Sequence, residues 1–539
     1  MASGVDEKQN GKIETELRDE AIELLEMKSK ENGKEKEISE REDDEDTEVT
    51  LQLQNSSYCT TILLMTIIAT VPMINYGLTC LNPTIPVLQE MYNNTYMSRY
   101  SEPMPDSTWE MLKALTMSMI VAGSFVGSLS LKSVLMFLSR KQCMIAVHGI
   151  NILGALIICL GAGLSKAYEP MIIGRFVMGL ANGLALGLIP VIIGETCVKS
   201  RCAVYDGLIG VLLAIGALFG VILGWSEVFG TPELWPLIII TPAIPSAIYI
   251  TMSRWITDTP YYIMRNGDRA ELMKTMVKLR DGPESAVAAE IRSMMGAQTT
   301  RRSESLLENN YDQSTEQKQT SQDITLKTVW TTVEYRRQFV MVLLLFANLM
   351  LNGLNNVLFF SDSIFLEAGI KPDYVTVVTV GVFLFQVLST LPGSYILHHM
   401  GSWKLCIIGN IIMIVGHILV VASLATYETV PGMSYLAIVG VAVYLLGFAG
   451  GENIGLFPLV SELTTEVTRP ICVNFGCAML WFTGWLVGFM ATYFQKWMGA
   501  YSFLVWMGFT ILFTIYIAVM VPNTKNKTSD EIQQHFKNQ

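Results

Sequence analysis

Charge is scarce in this sequence. Only 16% of its 539 residues are Asp, Glu, Lys or Arg, against about 25% in soluble globular chains. That excludes a water-facing surface over the whole chain. Catalytic and metal-binding patterns are missing as well. The five His show no HExxH or other ligand spacing, and the nine Cys form no paired C-x-x-C set. His398-His399, at the end of an apolar run, reads as interfacial. Most Cys fall inside apolar runs and read as small packing residues. Without a nucleophile–base or metal set, no enzymatic activity, cofactor or metal is expected, nor a nucleic-acid partner. No apolar segment occurs before about residue 58, which argues against a cleaved signal peptide.

Apolar sequence is abundant. A spanning helix needs ~20 mostly apolar residues. About twelve such runs occur, near 58–82, 112–137, 142–165, 170–194, 205–226, 234–253, 338–361, 374–397, 403–424, 433–458, 471–494 and 501–521. The pattern predicts an all-α polytopic membrane protein. The net charge of −11 belongs to a tail. Residues 1–50 hold 18 acidic against 8 basic residues, and the rest of the chain 30 against 29. The tail is too polar to bury a core. Its stretch ETELRDEAIELLEMK has helical spacing, and Glu20 with Leu24-Leu25 resembles an acidic dileucine signal read by sorting machinery.

Lys and Arg orient the helices. With a cytoplasmic N-terminus, the inside connections carry Arg140, Lys141, Lys199, Arg201, Lys404, Arg469, Lys525, Lys527, Lys537 and thirteen Lys/Arg from Arg254 to Arg337. The outside connections carry Arg99, Lys113, Lys166, Lys371 and Lys496. Both termini are therefore expected inside. The sequon Asn93-Asn94-Thr95 falls in the first outside loop, where a glycan is expected on Asn93. The sequons at Asn55 and Asn526 fall inside and stay bare. The expected organisation is an acidic disordered cytoplasmic tail (1–57), a six-helix half (58–253), a cytoplasmic linker with short helices (254–337), a second six-helix half (338–521) and a C-terminal tail (522–539). Within the linker AELMKTMVKLR reads as an amphipathic helix, and Arg301-Arg302-Ser303 as a solvated basic turn, with a phosphorylation site as the alternative.

The halves echo one another. Pro190, Glu195 and Arg201 correspond to Pro458, Glu462 and Arg469, each Pro standing eleven residues before its Arg. Each set falls where the fourth helix of a half reaches the cytoplasm. Repeated halves are a transporter architecture, with a solute site near midplane between them. Glu195, Arg201, Glu462 and Arg469, with Arg140, are expected to form a cytoplasmic gate whose ion pairs hold the inner ends of the halves together. Arg175 is placed near the outer end of the helix that carries Glu195. Gly179, Gly183 and Gly187, spaced by four, give that helix a face for close contact with a neighbour.

Five segments, in order along helices four to twelve, resemble the sugar porter branch of the major facilitator superfamily, close to the facilitative hexose transporters. GRFVMGLANGLALGLIPVIIGETCVKSR is similar to the family's GRF…GL…G…PVYxSE…R. DTPYYIMRNGDRAEL is similar to its PESPR segment after helix six. NGLNNVLFFSDSIFLEAGI is similar to its SGINAVFYYSxxIFxxAG in helix seven. Pro458, Glu462 and Arg469 resemble its PW…SEIFP…R segment, and VPNTKNKTSDEI its VPETKGKTxEEI ending. The resemblance implies a major facilitator fold, twelve transmembrane helices in two six-helix halves with both termini cytoplasmic. It implies a sugar site in which Asn355 matches the helix-seven asparagine, Gln386 a polar position of helix eight, and Trp481 a tryptophan that packs against sugar. The second such tryptophan aligns with Phe457. The chain departs from the family where paired glutamines open helix seven: Leu349 and Met350 stand there. The helix-five glutamine falls near Ile209 or Gly210. The D-R-x-G-R-R segment is reduced to Ser139-Arg140-Lys141, and its partner to Gly401-Ser402-Trp403-Lys404.

Sugar recognition needs hydrogen bonds to hydroxyls and an apolar wall. Amides suit hydroxyls because each offers donors and an acceptor. The candidate amides at midplane are Asn75, Asn352, Asn355, Asn356 and Gln386, and the candidate walls Trp481, Phe359, Phe360 and Phe457. Losing the glutamines removes neutral hydrogen bonds worth ~0.5–1.5 kcal/mol each, so weak hexose binding or a less hydroxylated solute is expected. Glu452, in FAGGENIGLFP, is an acid at membrane depth, where insertion costs ~2.5–3.5 kcal/mol. It is a candidate for lining the cavity, binding solute or carrying a proton. Asp362 is expected near the outer end of helix seven. Proton-coupled sugar porters carry an acid in helix one. ILLMTIIATVPMINYGLTCLNP has none, which favours facilitated diffusion. The expected function is facilitative transport of a sugar, polyol or related polar solute by alternating access. The alternatives are a non-transporting receptor or regulator of this fold and a proton symporter using Glu452. The expected membrane is the plasma membrane, with an endosomal or other internal membrane as the alternative.

Overall fold

The computed structural model describes residues 53–164, 167–266, 268–295, 326–430, 432–465, 468–525, 527 and 531–532. Eleven apolar helical runs in it are long enough to cross a bilayer. The last, Ile471–Met520, holds two helices, Arg469–Met498 and Ser502–Met520, so the spans among the described residues number twelve. In chain order the other ten are Ser57–Thr79, Asp106–Phe137, Arg140–Gly163, Glu169–Thr196, Lys199–Gly224, Trp235–Trp255, Val333–Glu367, Pro372–Met400, Ser402–Thr426 and Ser434–Leu463. Each coincides with an apolar run of the sequence, because a bilayer leaves a backbone no partner but its own helix.

The chain divides into two compact units. The larger contains the spans. Within it, glycines set the closest contacts. A Cβ on Gly183 of helix four would lie 2.0 Å from the Ser124 carbonyl oxygen of helix two, and one on Gly179 would lie 2.0 Å from that of Ile120. Backbone thus meets backbone at Gly179 and Gly183, while Gly187 meets the Leu131 side chain. Helices nine and ten repeat the device: a Cβ on Gly409 would lie 2.7 Å from the Gly447 carbonyl oxygen. Arg175 is fully buried in the first half. Its guanidinium donates to the carbonyls of Gly77 and Met117 at 3.1 and 3.2 Å, tying helices one, two and four. The two halves meet along helix two against eleven and helix five against eight. On the first seam the Phe125 and Phe482 rings lie 5.6 Å apart.

The first outside loop contains a helix, Ile85–Tyr100, whose apolar residues show no clear helical period. Pro86 in its first turn suits a helix start. Tyr92 anchors it, bonding Thr116 at 2.8 Å and packing on Trp109 and Tyr168. Arg99 at its end pairs with Glu169.

The smaller unit is described over 53–58 and 268–295. The amphipathic linker helix spans Arg269–Leu279 and buries Leu272, Met276 and Leu279. Residues 54–55, which the sequence reading assigns to the tail, instead form a strand. This strand, β1 (Gln54–Asn55), pairs antiparallel with β2 (Arg280–Asp281), Gln54 opposite Asp281. Ser56 extends the ladder, its N–H donating to the Leu279 carbonyl at 3.0 Å and its hydroxyl to that of Lys278 at 2.5 Å. Leu53 is buried beside Gly282, and Arg280 holds Glu290 through two bonds of 2.8 Å. The dileucine stretch at Glu20-Leu24-Leu25, Arg301-Arg302-Ser303 and the sequon at Asn526 lie outside the described residues.

Candidate substrate site

Helix seven is broken. Its first part, Val333–Leu351, ends at Asn352, and Gly353 takes φ +92° before Leu354–Glu367 resumes. Only glycine takes that conformation without strain, and Trp506 packs so close that a Cβ would lie 2.9 Å from its side chain. A second kink falls at Phe360, with φ −132° and ψ 19°. The breaks turn Asn355 and Asn356 inward, where both are buried.

Asn355 donates through Nδ2 to the Gly484 carbonyl of helix eleven at 2.8 Å. Because that partner only accepts, the amide is fixed with its oxygen free. Among the described residues Asn355 Oδ1 is buried without a hydrogen-bond partner, as are Asn356 Oδ1, Gln386 Oε1, Trp481 Nε1 and Trp485 Nε1. An unmet buried polar atom costs about 1–3 kcal/mol. These five, on helices seven, eight and eleven, make up the polar inventory of the candidate site. Gly484 also borders Val121 of helix two, 3.3 Å from a Cβ placed there. Asn355 therefore sits close to the seam between the halves.

Asn352 and Glu452 do not belong to that inventory. Glu452 is 1% exposed and sits at the end of a π-turn, Phe448–Glu452, in helix ten. Its carboxylate accepts from Asn348 Nδ2 and, at 2.9 Å, from Asn352 Nδ2. Asn352 Oδ1 accepts from the Leu354 N–H at 3.0 Å and the Tyr444 hydroxyl at 2.9 Å. Its amide is thus spent on holding the break of helix seven. Asn75 is half-buried, and its backbone carbonyl accepts from the Thr79 hydroxyl at 3.2 Å. Phe457 is 38% exposed and meets Phe346 edge to face at 5.5 Å. Leu349 and Met350 are buried apolar residues. Gly210 of helix five faces Thr390 and Asn453 of the second half.

The residues read as the cytoplasmic gate form separate clusters, one in each half. Arg140 grips Glu195 through Nε at 3.0 and 3.2 Å and Nη2 at 2.8 Å. Thr259 donates to the same carboxylate, and Tyr261 and Tyr262 flank the guanidinium. Glu462 accepts from Ser402 at 2.7 Å, while Arg469 donates to the Ser461 and Thr464 carbonyls that end helix ten. Arg201 is exposed. On the outer side, Asn93 Oδ1 accepts from the Met104 N–H at 3.0 Å.

A contact between the halves at the outer end escapes the sequence reading. Asn82, past helix one, donates to Ser361 Oγ at 2.7 Å and to Asp362 Oδ1 at 3.3 Å, and accepts from the Asp362 N–H at 3.4 Å. Thr379 of helix eight donates to the same carboxylate. All four residues are buried. Asn82 and Asp362 lie 280 positions apart, and no spacing rule connects them.

The profile of the family described as Sugar (and other) transporter matches residues 62–536. The facilitated glucose transporter member 5 of solute carrier family 2 from Pongo abelii is 27% identical over 464 residues, 86% of this chain and 88% of its own. The mouse member 7 is 27% identical over 466 residues, 86% of each chain. Among solved structures, the proton:xylose symporter XylE with 6-bromo-6-deoxy-D-glucose superposes with a TM-score of 0.68 at 16% identity, covering 89% of this chain and all of that one. The inward-open xylose transporter XylE from E. coli gives 0.66 at 15%, covering 88% and 99%. Twelve spans, a broken helix seven and a match running from the first span to the C-terminal tail place this chain in the sugar porter family of the major facilitator superfamily.

Proposed function

We propose that this transporter moves an uncharged polyhydroxylated solute, a sugar or polyol, down its gradient by alternating access at the plasma membrane. The observation that supports this reading is the set of buried, unmet polar atoms on Asn355, Asn356, Gln386 and Trp481. All are neutral, so they suit hydroxyls rather than ions. Helix one supplies no acid, and Arg175 beside it is occupied by carbonyls. Helix one thus lacks the acid that the resemblance gives proton-coupled sugar porters.

The test is tracer uptake into proteoliposomes across hexoses, pentoses, disaccharides and polyols. Saturable uptake of at least one solute, indifferent to an imposed pH gradient, is expected. Asn355→Leu should lower its kcat/KM about tenfold or more, since a lost hydrogen bond and a stranded solute hydroxyl together cost about 1.4 kcal/mol or more. No flux of any solute, with thermal stabilisation by one of them, would instead mark a receptor. Uptake that follows the pH gradient and loses that response in Glu452→Gln would mark a symporter.

A further inference from the structure

Glu452 is a buried ionisable group that transport, as read above, does not use. Among the described residues no Lys or Arg pairs with it. Its surroundings are neutral or electronegative. Asn348 and Asn352 come from the last turn of the first part of helix seven, so the negative end of that helix dipole adds to the carboxylate. Helix nine contributes Cys406, the Met413 sulfur, 3.6 Å from Asn352 Nδ2, and His417, whose Nδ1 faces the Met413 carbonyl. Helix ten contributes the Tyr444 hydroxyl. Among the described residues Asn348 Oδ1 is buried with no partner, although its Nδ2 already donates to Glu452. The π-turn Phe448–Glu452 widens helix ten there, with the Asn453 N–H donating to the Phe448 carbonyl. Gly409, Gly447 and Gly451 bring the backbones of helices nine and ten together there.

We propose that this pocket binds one small monovalent cation, with Na⁺ as the probe ion. Carboxylate, amide and carbonyl oxygens are the donors a hard cation takes, and discontinuous membrane helices supply such carbonyls at ion sites. One carboxylate calls for one positive charge, which disfavours a divalent ion. Asn348 completes the set by a half-turn of its amide, which brings the free oxygen to the carboxylate's side. Asn352 cannot turn, because Leu354 and Tyr444 hold its oxygen. The site lies within the second half and does not depend on which solute is carried.

Thermal unfolding of the full chain in nanodiscs tests this, comparing NaCl, KCl and choline chloride at equal ionic strength. The wild type is expected to melt about 2–5 °C higher in NaCl than in choline chloride. The rise should vanish in Glu452→Gln and persist in Glu428→Gln, an exposed acid in a loop. Asn348→Ala, which keeps the carboxylate, should raise the Na⁺ midpoint about tenfold and serves if Glu452→Gln does not fold. Equal melting of the wild type in the three salts overturns the proposal. So does a Na⁺ effect that survives in Glu452→Gln, or a shift that tracks pH and ignores the cation. Because the readout is stability, failure of the transport reading leaves this result standing, and the reverse.

Discussion

Gly183→Ala is expected to lower the yield and melting temperature of the folded protein sharply, whereas Gly149→Ala should leave both intact or slightly raised. Both glycines sit inside helices, where alanine is ordinarily better by ~1 kcal/mol. The difference is what the added methyl meets. At Gly149 nothing lies within 4 Å, while at Gly183 the methyl would fall 2.0 Å from the Ser124 carbonyl oxygen and 2.7 Å from the Ser128 nitrogen. Those atoms belong to a helical backbone and cannot swing aside as a side chain would. Helix two must retreat from helix four, and the neighbouring contacts at Gly179 and Gly123 open with it. Overpacking in a well-packed core costs about 1–3 kcal/mol and occasionally more. A backbone clash at the centre of a helix pair belongs at the top of that range, a large share of a marginal stability. Monodisperse yield in detergent and the melting temperature report it. Gly183→Ala melting within a degree of the parent chain would refute the packing described.

Asn82→Ala is expected to open the outer face. The bonds from Asn82 to Ser361 and Asp362 exist only while the outer ends of the two halves touch. When that face opens, the same groups meet water, so the lost bonds weaken the closed state alone. Hydrogen bonds to a charged group contribute about 1.5–3 kcal/mol, which translates into a roughly 10- to 150-fold shift toward outward-open. Spin labels at Asn94→Cys and Lys371→Cys, exposed outer positions in opposite halves, measure it. The nine native Cys are buried or half-buried, so labelling can be directed to the introduced ones. A longer distance should gain population in Asn82→Ala and in Asp362→Ala, and the double variant should add little. An unchanged distance distribution in both single variants would remove Asn82 from any gating role.

The spans were legible because hydropathy and length alone decide what crosses a bilayer. The small-residue face of helix four was legible for the same kind of reason, a local period of four. The site was legible only in part. Asn355, Asn356, Gln386 and Trp481 emerge together as buried atoms with unmet hydrogen bonds. Asn352, three residues from Asn355, is spent on the break of helix seven, and spacing could not separate the two roles. From the sequence alone the charges at the inner ends read as pairs across the halves. Arg140 and Glu195 pair within the first half, and the bonds of Glu462 and Arg469 stay within the second. Such choices depend on which helix ends adjoin, and that is a property of the assembled bundle. The strand at residues 54–55 was invisible because two residues carry no periodicity.

That strand has a topological consequence. Ser56 bonds residue 278 across 222 positions, so the segment entering the first six spans is fastened to the segment that leaves them. The first half is thereby closed into a ring by a few backbone bonds. A nick anywhere in 296–325 would leave the ring whole, whereas truncation past residue 56 would cut it. Two separately expressed pieces divided in that interval would each carry their own boundaries intact.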